Sequence, residues 1–172
     1  MRWVYYGALG LGLFVGGVVI TGLLLPARHV ATRSVAVPAR PDPVWALITD
    51  FERNPAWRKD LRRVTRVPDQ GGREVWREES ADGEVIPYET VEREESRRLV
   101  RRIADPDLPF GGTWTIDVEP EGDGSRVRIT EHGEVRNPIF RFVSTVLIGH
   151  TSYMDAYLSA LARHFGGDGT PE

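Results

Sequence analysis

The sequence predicts an α+β protein: a curved seven-stranded antiparallel sheet, two short helices near its start and one long C-terminal helix, preceded by a single transmembrane helix. Three observations predict it. A charge-free apolar run fills residues 3–25. Seven segments with strand-like alternation follow, separated by short turn signals rich in Gly, Pro and Asp. One long amphipathic stretch closes the chain. A sheet with one apolar face needs a second layer, and a single long helix laid across it supplies that layer.

The apolar run, Trp3 to Leu25, has 23 residues. As a helix rising about 1.5 Å per residue it reaches roughly 35 Å, against a hydrocarbon core of about 30 Å. Trp3, Tyr5 and Tyr6 stand where an interfacial aromatic belt belongs. A cleaved signal peptide is the competing reading, but the run exceeds the usual apolar region of about 7–15 residues. "LPARHVAT" also offers no small-x-small cleavage site. Residues 1–28 are therefore expected to form a single-pass membrane anchor. Arg2 precedes the span, while Arg28, Arg33 and Arg40 follow it, which leans toward a cytoplasmic C-terminal domain. Gly12 and Gly16 form a GxxxG pair that could pack two anchors together.

Residues 29–166 form the expected domain, and 167–172, "GDGTPE", read as a disordered tail. "HVATRSVAV" alternates and is the first strand, ended by Pro38 and Pro41. Asp42-Pro43 reads as an N-cap followed by the favoured N1 proline. Val44, Leu47, Ile48 and Phe51 then fall at helical spacing. Asn54-Pro55 repeats the device for a second short helix. Trp45 and Trp57 brace these helices against the sheet. Six more strands follow: "DLRRVTRV", "REVWREES", "EVIPYETVERE", "RRLVRRIAD", "GGTWTIDVEP" and "SRVRITEHGEV". Asn137-Pro138 opens the long helix. Phe140, Val143, Leu147, Met154, Leu158, Leu161 and Phe165 form its apolar stripe, and Gly149 is a kink point.

Composition removes several function classes. The net charge is −3, so the chain as a whole does not attract nucleic acid, and no exposed aromatic platform suggests a nucleic-acid partner. Every basic residue but Lys59 is Arg, a bias that a GC-rich genome also produces. No cysteine is present, which excludes disulfides, thiol nucleophiles and thiolate metal sites. The four histidines lack metal-ligand spacing, and neither a G-x-S-x-G elbow nor a Walker A loop occurs. No metal, cofactor or catalytic residue is expected. Glu78-Glu79 and Glu94-Glu95 are strand neighbours that point to opposite faces, so neither pair makes a two-carboxylate site.

The stretch "VWALITDFERNPAW" resembles the Val-Trp…Asp-Phe…Pro-x-Trp signature of the START/Bet v 1-like superfamily, also called SRPBCC, helix-grip, or polyketide cyclase/dehydrase and lipid transport. "GHTSYMDAYLSALARHF" resembles that superfamily's closing helix, and the resemblance spans about residues 30–166. It implies a helix-grip fold with a cavity between sheet and long helix. It further implies binding or transfer of a hydrophobic small molecule: a lipid, an isoprenoid or a polyketide-like compound. The superfamily also holds enzymes, so a cyclase/dehydrase or hydrolase using Glu131, Tyr88 or Arg101 remains open. So does a protein-interaction module whose cavity is filled.

Strand parity assigns faces within such a cavity. Trp114, Ile116 and Val118 share the inward face, and so do Val127, Ile129 and Glu131. An inward carboxylate is paired, wet or protonated: either Glu131 lies near the strand's open end and sees solvent, or it is a polar anchor that orients a ligand headgroup, with Arg101, on the face of Leu99 and Ile103, as its expected partner. The expected ligand-binding set is Trp76, Tyr88, Arg101, Phe110, Trp114, Ile116, Ile129 and Glu131 from the strands. Phe140, Val143, Leu147, Met154 and Tyr157 complete it from the helix. "IFRFVSTVLIG" is apolar nearly all round. Either a neighbouring loop covers Ile139, Phe142, Val146 and Ile148, or they form an exposed apolar patch that touches the bilayer and gates ligand entry.

Overall fold

The alternating segments pair into one seven-stranded antiparallel sheet of order β1-β7-β6-β5-β4-β3-β2 in a computed structural model of the chain. It describes residues 2–149 and 151–172, with the backbone alone for Arg2, Val4, Ala8, Leu147 and Ile148. Helix α1 (Arg2–Leu24) leads into β1 (Arg28–Val37). Helix α2 (Pro41–Thr49), a 3-10 turn (Phe51–Arg53) and α3 (Asn54–Trp57) follow. The strands are β2 (Leu61–Gln70), β3 (Arg73–Ser80), β4 (Val85–Glu94), β5 (Arg98–Ile103), β6 (Phe110–Glu121) and β7 (Gly124–Val135). Consecutive hairpins join β2 through β7, and β1 returns to pair with β7, placing Val35 opposite Val127.

The core lies where the inner face meets α2 and the last helix, α5 (Ser152–His164). Val35, Leu99, Ile116, Val127 and Ile129 face Val44, Trp45, Ile48, Met154, Leu158 and Leu161, all buried. Each such side chain contributes about 1.5–3 kcal/mol on burial. This is the helix-grip architecture that the sequence predicts, with three local corrections. Helix α2 begins at Pro41, not after an Asp42 cap: Arg40 holds the N-cap position without a side-chain bond. Pro41 therefore starts a helix and does not end a strand, because its fixed φ suits the first turn. Asn54 is likewise inside α3 and makes no cap bond, while Asn137 does cap, accepting from the Ile139 and Phe140 amides.

The long closing helix is interrupted. It runs as α4 (Pro138–Phe142), continues as a π-helical turn (Val143–Ile148), breaks at Gly149, and resumes as α5. Gly149 takes φ 81, a left-handed value that favours glycine. The break splits the apolar stripe. Met154, Leu158 and Leu161 enter the core, whereas Phe140 is half exposed. Helix α4 instead packs on the end of α1. Arg141 caps that end, donating from Nη1 to the Gly22 and Leu25 carbonyls at 3.1 and 3.2 Å. The segment "IFRF" thus meets a helix, α1, and not the expected loop, while Ile139 and Val146 stay exposed. Within α1, Tyr5–Leu24 is long and apolar enough to cross a membrane, with mean hydropathy 2.1.

Residues 167–172, expected to be disordered, run back along β1. Ser34 and Glu172 exchange backbone hydrogen bonds at 2.9 and 2.8 Å, and the Ser159 hydroxyl donates to the Gly169 carbonyl at 2.6 Å. β1 is a sheet edge, and Glu172 takes up the outward backbone groups of Ser34 on it.

Candidate functional site

Parity places one row of side chains across the inner face. Ala31, Glu131, Trp114, Arg101 and Thr90 are register neighbours on β1, β7, β6, β5 and β4. Each inward position is set by alternation along its strand. From above, α5 adds Tyr157, and the segment between α2 and β2 adds Phe51, Trp57 and Arg58.

Two polar centres sit in this row. At the first, Glu131 accepts from the Trp114 indole Nε1–H at 2.7 Å and lies 2.9 Å from His29 Nε2. Its side chain keeps 20% of its exposure. The expected Glu131–Arg101 pair does not form. Trp114 stands between them in the register, and its indole uses the carboxylate itself. On the other side Arg101 lays its guanidinium over the Tyr88 ring of β4 and pairs with Glu78 on β3.

That pair is the second centre. The Glu78 side chain is 7% exposed and meets both Arg101 and Arg58, the latter at 3.1 Å. Burial opposes the Glu78 charge, but the two guanidiniums overcome it and hold the carboxyl below the ordinary range. Burial also opposes the charge of Arg58; Glu78 and then Asp60 more than offset it. The Arg101 guanidinium carbon lies 4.4 Å from the Phe51 ring centre and 4.8 Å from that of Tyr88. Burial, helped by the Glu78 charge, raises the Tyr88 hydroxyl, and burial pushes that of Tyr157 up to about 12.

Aromatic rings connect the centres. Trp114 packs edge-on against Tyr157 at 6.0 Å, Tyr157 against Trp57 at 5.2 Å, and Phe51 against Trp76 at 5.4 Å. Trp76, Tyr88, Arg101, Trp114, Glu131 and Tyr157 are thereby brought together. Ile116, Ile129 and Met154 lie in the apolar core beside them. Phe110, half-buried at the start of β6, and Phe140 and Val143 on the far side of the Gly149 break stand outside the network. The Leu147 side chain falls outside the described residues. Sequence reasoning missed Glu78, Arg58, Phe51 and His29 as members. Glu78 was findable, being two residues from Trp76 on the same face of β3; Arg58 comes from a loop with no periodicity to read.

Among the described residues, Arg101 Nε and Nη2, Trp45 Nε1, Trp57 Nε1 and Asn54 Oδ1 are buried without a hydrogen-bond partner. No cluster of His, Asp or Glu among the described residues could hold a metal ion. A cleft of ≈720 Å³ opens elsewhere, mainly on the outward face near the β5–β6 connection. The Glu89–Arg102 ion pair and other charged side chains line it, so it suits an apolar molecule less well than the inner face does.

A family model described as polyketide cyclase / dehydrase and lipid transport matches residues 28–166. No curated protein matches the chain. Among solved structures, a protein from Thermobifida fusca is 26% identical, with TM-score 0.62, covering 80% of this chain and 93% of that one. A START superfamily protein from Mycobacterium smegmatis is 16% identical, with TM-score 0.64, 80% of this chain and 97% of that one being covered. Norcoclaurine synthase from Thalictrum flavum is 15% identical, with TM-score 0.63 over 80% of this chain and 92% of that one; the last two likenesses are of fold.

Proposed function

The chain belongs to the polyketide cyclase/dehydrase and lipid transport family, and on that premise we propose that it binds or transfers a hydrophobic small molecule (a lipid, isoprenoid or polyketide-like compound) held between the sheet and α5. One observation carries this reading. Trp76, Tyr88 and Trp114 face inward on β3, β4 and β6, yet all three stay half-buried. Aromatic side chains bury large apolar areas when a core closes over them. Inward rings left partly uncovered are the lining of a binding surface, with the polar groups beside them fixing orientation. The apolar α1 would hold this site at a bilayer, where such ligands partition, and α4 at its end would lie at the entrance.

Native mass spectrometry of the full-length protein, extracted in mild detergent, tests the proposal. The expected result is a bound apolar species, or uptake of one from a lipid extract. A chain that carries and takes up nothing would point to the interaction module.

A second reading has its own observation. The His29–Glu131 contact places an imidazole against a carboxylate at the edge of the same lining, an arrangement suited to moving a proton. An enzyme of the cyclase or hydrolase type would lose turnover in Glu131→Gln while keeping its ligand. Unchanged turnover of an identified ligand in that variant would remove this reading.

A further inference from the structure

The buried edge of Arg101 has no acceptor. Arg101 is 8% exposed, and of its guanidinium nitrogens only Nη1 is bonded, to Glu78. Nε and Nη2 are both buried and unpartnered. These two nitrogens form one edge of the planar group, with parallel N–H bonds that match the two oxygens of a carboxylate. Buried donors of a charged group are too costly to leave unmet, so something must accept there.

Charge says what kind of acceptor. The interior holds two guanidiniums, Arg58 and Arg101, and one buried carboxylate, Glu78. Arg58 has a second carboxylate in Asp60, at 2.6 Å. Arg101 has only the carboxylate that it shares with Arg58, so an anion is the acceptor that its free edge favours. Phe51 and Tyr88 lie against the Arg101 guanidinium, and Trp76 packs on Phe51, so the approach to the free edge is aromatic.

We propose that the Nε–Nη2 edge of Arg101 is the seat of a carboxylate on the bound ligand, which is therefore an amphiphilic acid with an apolar body. The inference rests on the hydrophobic-ligand reading above and narrows it. Glu78 holds Arg101 in place, the rings take up the apolar body, and the acid accepts from the two unpartnered N–H groups.

The test uses the full chain in lipid nanodiscs, with empty nanodiscs as the blank, and follows quenching of tryptophan fluorescence. Two matched pairs are titrated: dodecanoate against dodecanol, and 2-naphthoate against 2-naphthylmethanol. In at least one pair the acid is expected to bind about ten-fold or more tightly than the alcohol, the margin a charged bidentate pair supplies. That preference should collapse in Arg101→Gln and in the double variant Glu78→Gln with Arg101→Gln, which leaves no unpaired buried carboxylate. The wild-type comparison needs no variant to fold. Acid and alcohol binding alike in both pairs, or a preference that survives the double variant, overturns the carboxylate seat and leaves that edge to water, while the hydrophobic-ligand reading stands. Binding of none of the four overturns both.

Discussion

Glu78 and Glu131 are the same residue type on the same face of one sheet, each bordered by aromatic rings, yet they occupy opposite regimes. Glu78 is sealed and met by two guanidiniums. Glu131 is partly open and met by an indole N–H and an imidazole. Full charges must meet Glu78, because burying a carboxylate without a cation is prohibitive. Glu131 keeps 20% of its side-chain exposure, so it does not need two guanidiniums to meet it. The face is therefore graded: a deep ionic end toward β3 and a wetter, hydrogen-bonded end toward β1. A ligand entering between sheet and α5 would meet both.

The largest effect should come from breaking the deep end. Glu78→Leu leaves Arg58 and Arg101 without their shared carboxylate, and the loss should be about 3–5 kcal/mol of stability. Thermal unfolding of the full chain in detergent, followed by circular dichroism, measures it. Adding Arg101→Met should recover most of that loss, since an apolar pair of similar volume replaces a buried ion pair at little cost. A loss below about 1 kcal/mol in Glu78→Leu would place Glu78 in the ordinary surface regime and erase the contrast.

Acid should find the same end. The folded Glu78 carboxyl is held below its ordinary value. Its contribution is complete above the unfolded carboxylate pKa of about 4.3 and is lost as pH falls through the folded value. Stability is expected to drop steeply on acidification below about pH 4, and the drop should be shallower in Glu78→Leu with Arg101→Met. An unchanged acid limb in that variant would assign it to other carboxylates.

What the sequence made legible divides along the same line. Alternation sufficed to place Trp114, Ile116, Ile129 and Glu131 on one face and to order seven strands, because strand period and turn chemistry are local. Asn137 was readable as a cap for the same reason. Depth and partner choice were not readable. Arg101 pairs with Glu78 and not with Glu131 because Trp114 stands between it and Glu131 while the Tyr88 ring supports its guanidinium on the way to β3, and register across several strands is a non-local property. Arg58 reaches Glu78 from a loop, which has no period at all. The split of the closing helix also depends on tertiary contact: α4 has α1 to pack against, so the chain can leave the sheet at Gly149.

At the open end the middle-sized effect belongs to Gly133. A Cβ there would stand 2.2 and 2.4 Å from His29 ring atoms and 2.8 Å from Glu131 Oε1. Gly133→Ala must push the imidazole off the carboxylate, at an overpacking cost of about 1–3 kcal/mol. The control is the same substitution made in His29→Ala, where the ring is gone and most of the cost should vanish. Equal costs in both backgrounds would show that His29 is not the obstacle.

Glu131→Gln should have the smallest effect. The amide oxygen can still accept from the Trp114 indole, and the amide N–H can donate to His29 Nε2 if the imidazole proton sits on Nδ1. Only charge assistance is lost, at a place that keeps some exposure, so about 0.5–1.5 kcal/mol is expected. Unfolding of this variant beside Glu78→Leu, under the same conditions, sets the two ends on one scale. A Glu131→Gln loss as large as that of Glu78→Leu would mean that Glu131 also serves as a buried counter-charge, and the inner face would then be uniformly ionic, with no open end suited to exchanging a ligand with solvent or membrane.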